Sequence, residues 1–174
     1  MAKITKRTLR QHLAGRSADE LTDDILALFD RFPAVKDYYQ AQLSGDDEEV
    51  RAKYKAIVVR EFTPERGFPQ LRLSVARKAI ADYQKVSGSL AGRIDLMLAY
   101  VEAGVRCTNT YGDLYEQFYL SMESMYKSAV DLVTEQKLQA TYEPRCWQIV
   151  QDTRNIGWGF HDELSLIYSE AFGG

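Results

Sequence analysis

Two short glycine-containing segments hold the side chains of this sequence that could carry chemistry. The later one, Asn155–Asp162, contains His161 and its neighbour Asp162. The earlier one, Cys107–Asp113, ends in Asp113. An imidazole beside carboxylates can move protons in general acid–base catalysis. If the two segments meet in the fold, the candidate catalytic residues are therefore His161, Asp162 and Asp113.

The other polar and aromatic side chains of these segments are candidates for binding. Glycines on both sides of Trp158 permit a positive φ or a close backbone approach. Trp158 and Phe160 would then either fill the core or form the wall of a pocket, and we expect Trp158 to fill the core. Asp113 and Glu116 have the spacing of a helix capping box, which competes with a functional role. The candidate binding residues are Asn109, Tyr111, Glu116, Arg154, Trp158 and Phe160.

The segments interrupt a chain that is otherwise patterned as amphipathic helix. Thr5 can cap a first helix over Lys6–Leu13, and Ser17 with Glu20 forms a capping box for a second helix. The longest predicted helix runs over Leu114–Gln136. Apolar residues of the second helix that follow the 3.6-residue period, and should face the core, are Leu21, Ile25, Leu28, Phe29 and Phe32. No stretch shows sustained strand alternation, so we predict an all-α protein.

Short helices with short connections favour antiparallel neighbours. Phe32-Pro33 recurs as Phe68-Pro69 about 36 residues later, a spacing found in helical repeats, and each pair is expected to open a helix. We predict one domain over residues 1–174, built as an array of antiparallel helical hairpins in a tetratricopeptide- or HEAT-like superhelix. An irregular helical bundle is the alternative.

Composition argues against several classes of function. The 174 residues include 22 basic and 25 acidic side chains, and the net charge of −3 does not favour binding to nucleic acid or to an anionic membrane. The two cysteines are too few for a disulfide scaffold and, with no apolar leader after Met1, favour a cytoplasmic protein. No apolar run is long enough to cross a membrane.

Metal and cofactor sites are also disfavoured. No nucleotide-binding loop or nucleophile elbow is present. The residues of suitable type for zinc, none of them in a short paired spacing, are His12, Cys107, Cys146 and His161. We expect both cysteines to be small buried side chains. We therefore predict no metal and no cofactor.

Basic residues gather in the first half of the chain, interleaved with acids. They are Lys6, Arg7, Arg10, Arg51, Lys53, Lys55, Arg60, Arg66, Arg72, Arg77 and Lys78. A nucleic-acid groove would need them on one side of the molecule. The simpler interpretation is the solvated face of several helices, so binding to nucleic acid is not expected.

One pair of residues is similar to a known catalytic motif. Six residues separate Arg154 from His161, which resembles the Arg-x4–6-His motif of the helical HEPN ribonucleases. That resemblance implies acid–base chemistry on RNA by His161 and phosphate binding by Arg154. Gly157 and Gly159, however, interrupt what should be continuous helix in that family.

Three longer motifs resemble a family of bacterial proteins known only as a domain of unknown function. They are Thr108-Asn-Thr-Tyr-Gly-Asp113, Met122-Glu-Ser-Met-Tyr126 and Gly157-Trp-Gly-Phe-His-Asp162. The likeness extends to the Lys/Arg-rich start and to Arg66-Gly-Phe, and so covers nearly the whole chain. It implies a free-standing bacterial cytoplasmic domain and supplies no activity.

The leading functional hypothesis is a non-enzymatic helical domain that binds a protein or peptide partner. The absence of a complete catalytic motif favours it. The rival hypotheses are a hydrolase or HEPN-like ribonuclease that uses His161, a nucleic-acid binder that uses the basic first half, and a site for a small molecule between the two glycine-containing segments.

Overall fold

Helices make up all the regular secondary structure of the part of the chain that is described. The computed structural model describes residues 4–173, and in that range it has nine helices and no strand. They are α1 (Lys6–Leu13), α2 (Ala18–Arg31), α3 (Pro33–Leu43), α4 (Glu48–Arg60), α5 (Leu73–Val86), α6 (Leu90–Tyr111), α7 (Glu116–Glu135), α8 (Gln139–Asp152) and α9 (Phe160–Phe172). The predicted all-α class is confirmed. None of these helices combines the length and hydropathy needed to cross a bilayer.

Local capping explains where several helices begin. The Thr5 side chain accepts a hydrogen bond from the Thr8 backbone, and Ser17 forms the predicted capping box with Glu20. Each of these bonds satisfies an amide that has no partner inside the helix. Pro33 is the first residue of α3, where its fixed φ suits a helix start. These starts were predicted correctly from the sequence.

The core is built around α6. This helix buries 13 of its 22 residues, and the continuous apolar cluster around it extends from α4 to α9. Aromatic side chains pack inside this core. Phe62, for example, lies edge-on against Tyr100, with the ring centroids 5.0 Å apart. Cys107 and Cys146 lie in the same core, as predicted.

Most of the helix packing is between close neighbours in the chain. Each of the stronger contacts joins helices that are one or two places apart. This is compatible with an array of hairpins, and a repeating superhelix stays a prediction. The Phe-Pro repeat is not repeated in structure: Pro33 opens α3, whereas α5 begins at Leu73, after Pro69 and a loop. Glu61 receives two hydrogen bonds from the Arg72 side chain, which sets the start of α5 instead.

The prediction that the apolar stripe of α2 faces the core is wrong. No residue of α1 or α2 is buried, and α3 buries only Asp37. α2 packs mainly on α3, so Leu21 and Phe29 are only half-buried and the rest of the stripe is exposed. Ile25, Leu28 and Phe32 are 42%, 46% and 49% exposed.

Ion pairs hold several of the basic side chains of the first half. Lys53 Nζ lies 2.7 Å from Asp37 Oδ1, and Lys55 Nζ lies 3.0 Å from Asp95 Oδ1. Arg145 of α8 also reaches Asp95 and makes two hydrogen bonds to Glu102 of α6. Burial alone would raise the pKa of Asp95, but its hydrogen bonds to Lys55 and Arg145 lower it. This network fixes α8, and with it the following loop, against α6.

Candidate functional site

The two segments identified in the sequence meet. The Asn109 side-chain amide donates a 2.9 Å hydrogen bond to the Asp152 carbonyl, which ties the end of α6 to the end of α8. Between them lies an open depression of about 480 Å³. It is lined by Thr108, Asn109, Gly112, Asp113, Asp152, Asn155 and Ile156, and we call it the amide depression. His161 is not among these lining residues.

The earlier segment is mostly helix and not a loop. α6 continues to Tyr111, and Gly112 ends it with a φ of 91°, which glycine adopts without strain. The polar run before Gly112 contains no residue that stops a helix, so the turn comes later than Cys107. Tyr111 is 47% exposed, and its ring lies 6.2 Å from that of Phe68.

Asp113 and Glu116 do not form the expected capping box. Tyr115 is the N-cap of α7 and Glu116 is its first residue. Asp113 instead accepts a 3.2 Å hydrogen bond from the Tyr119 hydroxyl, which itself accepts one from the Leu114 amide. The turn is therefore held by a tyrosine one turn into α7, and Asp113 keeps its carboxylate at the depression.

Thr108 brings an unsatisfied polar group to the amide depression. The residue is only 4% exposed, and its hydroxyl has no hydrogen-bond partner of normal geometry among the described residues. Burial raises the pKa of Tyr119, and the nearby Thr108 hydroxyl acts against that rise without completing such a bond. A buried hydroxyl without a partner costs about 1–3 kcal/mol of stability.

Trp158 lies at the surface, contrary to the prediction that it fills the core. It is 69% exposed and has a φ of 63°, next to Gly159 with a φ of 72°. Ile156 and Phe160 on either side of it are buried and occupy the core positions of this loop. The interpretation of Phe160 as a core side chain is confirmed, whereas the indole is left free to contact a ligand.

His161 is half-buried and bonded to a side chain. Its Nδ1 lies 2.8 Å from the Thr153 hydroxyl, which donates to the Val150 carbonyl at 2.7 Å. Because the Thr153 hydroxyl donates its proton to the Val150 carbonyl, it accepts a hydrogen bond from His161, and Nδ1 of that imidazole is therefore protonated. No carboxylate among the described residues bonds or pairs with His161, although Asp162 follows it in the first turn of α9. The geometry therefore supports a structural role for this imidazole.

Arg154 does not share a helix with His161. It follows the end of α8, is exposed, and is separated from α9 by the glycine-containing turn. In the HEPN ribonucleases that the pair resembles, the motif lies in continuous helix. The break between Arg154 and His161 that the two glycines indicate in the sequence is thus present in the structure, and it weakens the resemblance to the HEPN ribonucleases.

A second depression lies on the other side of the α8–α9 loop. It has a volume of about 280 Å³, and we call it the tryptophan depression. Its lining residues are Glu116, Tyr119, Leu120, Glu123, Trp158, Gly159 and Glu163. Burial raises the pKa of Glu123, and the negative charge of Glu163 adds to this. The site is therefore acidic beside an exposed indole.

Sequence reasoning missed most of this second depression. Glu123, Glu163 and Leu120 were not candidates, although the pattern of α7 contains the necessary information. Residues spaced by three, four and seven positions share one helix face, as do Glu116, Leu120 and Glu123. The pattern could not show that Trp158 lies beside this face of α7, because that depends on the path of the α8–α9 loop.

Comparisons with known proteins identify a family without an assigned activity. The model of a family of unknown function, DUF6155, matches residues 4–172. Comparisons with curated proteins and with solved structures gave no match. The family match spans nearly the whole chain, in keeping with the resemblance to a domain of unknown function noted in the sequence. The chain belongs to DUF6155, a family of unknown function.

Proposed function

We propose that this protein is a helical interaction domain that binds an amphipathic, basic helix of a protein partner on α2. The observation that carries the proposal is the uncovered apolar stripe of α2. Its exposed members are Ile25, Leu28 and Phe32, each between 42% and 49% exposed, whereas Leu21 and Phe29 are half-buried. An apolar face with helical spacing suits a second helix laid along it, because such a helix offers its own side chains at the same spacing.

Single exposed apolar side chains also occur on α1 and α3. Leu9 on α1 is 50% exposed and Tyr38 on α3 is 43% exposed. Contiguous exposed apolar side chains on a folded protein are typical of interaction sites, whereas isolated ones are not. Ile25, Leu28 and Phe32 share one face of α2 and its C-terminal end, so they form the candidate surface, whereas the buried apolar core lies in α4 to α9.

Charge favours a basic partner. The single basic side chain of α2 is Arg31, and its acids are Asp19, Glu20, Asp23, Asp24 and Asp30. The chain as a whole has a net charge of −3. Basic side chains flanking an apolar helix face would be attracted to the acids of α2, although α1 itself is basic, and would speed association with α2.

The test uses a fluorescent peptide of leucine and lysine with the leucines on one helix face. Fluorescence anisotropy should show saturable micromolar binding, and a scrambled peptide of the same composition should bind about tenfold more weakly. Ile25→Ala with Leu28→Ala should weaken binding roughly tenfold, because both partners lose buried apolar surface. Leu166→Ala is the matched control, since Leu166 is 53% exposed but lies on α9.

Two results would overturn the proposal. The first is equal binding of the ordered and scrambled peptides, which would show that charge alone is recognised. The second is a dimer in sedimentation velocity that the Ile25→Ala and Leu28→Ala changes dissociate. That dimer would assign the stripe of α2 to a second copy of this chain and not to a different protein.

A further inference from the structure

We propose that the C-terminal half of α4 and the loop that follows it bind a free aliphatic carboxylate of medium chain length. The site is a single depression of about 580 Å³, larger than either depression at the α8–α9 loop. Arg60 and Arg66 line it, and we call it the arginine depression. This inference does not depend on the proposed function, because the surface proposed there lies on α2.

The apolar part of the arginine depression is aliphatic. Ile57 and Val59 line it, and both are partly buried and packed against the core. Ala56 and Pro64 complete this part of the lining, which contains no aromatic ring. A concave, mostly apolar surface with a few charged groups beside it is typical of small-molecule sites. The lining favours a flexible aliphatic chain over a planar ligand, because it offers no ring on which such a ligand would stack.

The two arginines of this lining differ from the other basic side chains of the region. Every other lysine and arginine from α4 to α5 has an ion pair or a side-chain hydrogen bond. These residues are Arg51, Lys53, Lys55, Arg72, Arg77, Lys78 and Lys85. Arg60 and Arg66 have neither among the described residues, and both line the same depression. A guanidinium donates two parallel hydrogen bonds to a carboxylate, so a carboxylate is the group that suits this position.

The charge of the lining favours a ligand with one negative charge. One acid, Glu65, lines the depression beside the two arginines and, within the described residues, pairs with neither of them. Two positive charges and one negative charge leave the site with a net positive charge of one. A single carboxylate balances that charge, whereas a phosphate or a nucleic-acid strand brings more negative charge than the site neutralises.

The loop that carries Arg66 is held at both ends. The Leu71 amide donates a 3.0 Å hydrogen bond to the Glu61 carbonyl, and the Arg72 side chain donates two to the Glu61 carboxylate, at 2.9 and 2.7 Å. Glu61 is only 1% exposed, so this anchor is shielded from water. Compact loops whose ends lie close together are frequently functional. Because the ends are fixed before binding, the ligand does not bear the cost of ordering the whole loop.

The test is isothermal titration calorimetry of the whole chain with octanoate at low ionic strength. We expect one saturable site. Octanoate should bind about tenfold more tightly than acetate, which lacks the chain, and than 1-octanol, which lacks the charge. Arg60→Gln and Arg66→Gln should each weaken octanoate binding about fivefold, since each removes one charged donor. Arg106→Gln is the matched control, because it removes an exposed arginine of α6 outside the depression and should leave binding unchanged.

Two further variants change the depression and leave both arginines in place. Ala56→Glu puts a carboxylate into the aliphatic lining and should abolish octanoate binding. Glu65→Gln removes the acid that repels the ligand and should tighten octanoate binding about threefold. Both positions are exposed, so neither change disturbs the core, and a thermal melt of each variant checks that the protein is folded.

Any one of four outcomes overturns the proposal. The first is the absence of a saturable heat with octanoate. The second is equal binding of 1-octanol and octanoate, which would show that apolar surface alone is recognised. The third is a loss for Arg106→Gln as large as that for Arg66→Gln, which would show nonspecific attraction. The fourth is binding to vesicles of phosphatidylglycerol that depends on Arg60 and Arg66 while octanoate does not bind, which would assign the arginines to a membrane surface.

Discussion

The N-terminal helices α1 to α3 and the body of α4 to α9 have similar amphipathic patterns but differ in how far their apolar faces are buried. In the body the apolar faces pack around α6, and Tyr54 and Val58 of α4, with Phe62 just after it, are all less than 10% exposed. In the N-terminal part α2 buries no residue, and Ile25, Leu28 and Phe32 of its stripe are between 42% and 49% exposed. The difference shows that apolar periodicity predicts that a helix forms, whereas burial of its face depends on which other helices reach it.

The largest effect should come from a pair of phenylalanine truncations, one in each region. Phe118→Ala should lower the free energy of unfolding by about 3–5 kcal/mol, because Phe118 is fully buried and the change leaves a cavity. Phe32→Ala should cost less than about 1 kcal/mol, since Phe32 is 49% exposed. Urea denaturation measures both. Equal losses would mean that the N-terminal stripe is covered in solution.

A pair of arginine truncations, one in each region, should give losses of stability of intermediate size. Arg145→Ala should cost about 3 kcal/mol, because it leaves Asp95 and Glu102 without their shared partner. Arg16→Ala should cost about 0.5 kcal/mol, although the Arg16 side chain is as exposed as that of Arg145, because it loses only one pair with Asp24. Chemical denaturation of both variants measures the two losses in free energy of unfolding. A loss at Arg16 as large as that at Arg145 would contradict the difference between the regions.

Acid should affect the body through Glu61. Hydrogen bonds from Arg72 lower the pKa of this carboxyl in the folded state. The stabilisation is therefore present above the unfolded pKa, near 4.5, and is lost as the pH falls through the folded value. Glu61→Gln should lower Tm at pH 7 and make Tm less dependent on pH in that acidic range.

Glu20 is the matched acid in the N-terminal region. A hydrogen bond donated by the Ser17 backbone amide lowers the pKa of this exposed carboxyl, but Gln at the same position can keep the cap. Melting curves from pH 7 down to about pH 3 should therefore differ little between Glu20→Gln and the parent protein. A Glu61→Gln curve parallel to that of the parent would contradict the role assigned to Glu61.

The smallest effect on the free energy of unfolding is expected in the α8–α9 loop, where an exposed and a buried aromatic side chain lie two residues apart. Trp158→Ala should change the free energy of unfolding by only about 0.5 kcal/mol, because the ring is 69% exposed. Phe160→Ala, at a fully buried position, is the control and should cost about 3–5 kcal/mol. A large loss for Trp158→Ala would restore the expectation that its ring fills the core.

Much of the local structure was predictable from the sequence. The bounds of α1, the capping box at Ser17 and the start of α3 at Pro33 each depend on residues within a few positions of one another. The capping of α7 was not predictable in this way. Tyr119 reaches back to Asp113 from within the helix, and nothing in the spacing distinguishes that bond from a capping box formed by Glu116.

By itself, the sequence determined that the chain is helical, where α1, α2 and α3 begin, and that two polar segments carry the candidate residues. Those properties depend on local hydrogen bonds and on the 3.6-residue period, which act within a few residues. Only the tertiary structure decided that the stripe of α2 is uncovered, that Trp158 is outside while Phe160 is inside, and that Thr108 lies unsatisfied beside Asp113. Each of these depends on which distant helices meet, and that is settled by packing across the whole core.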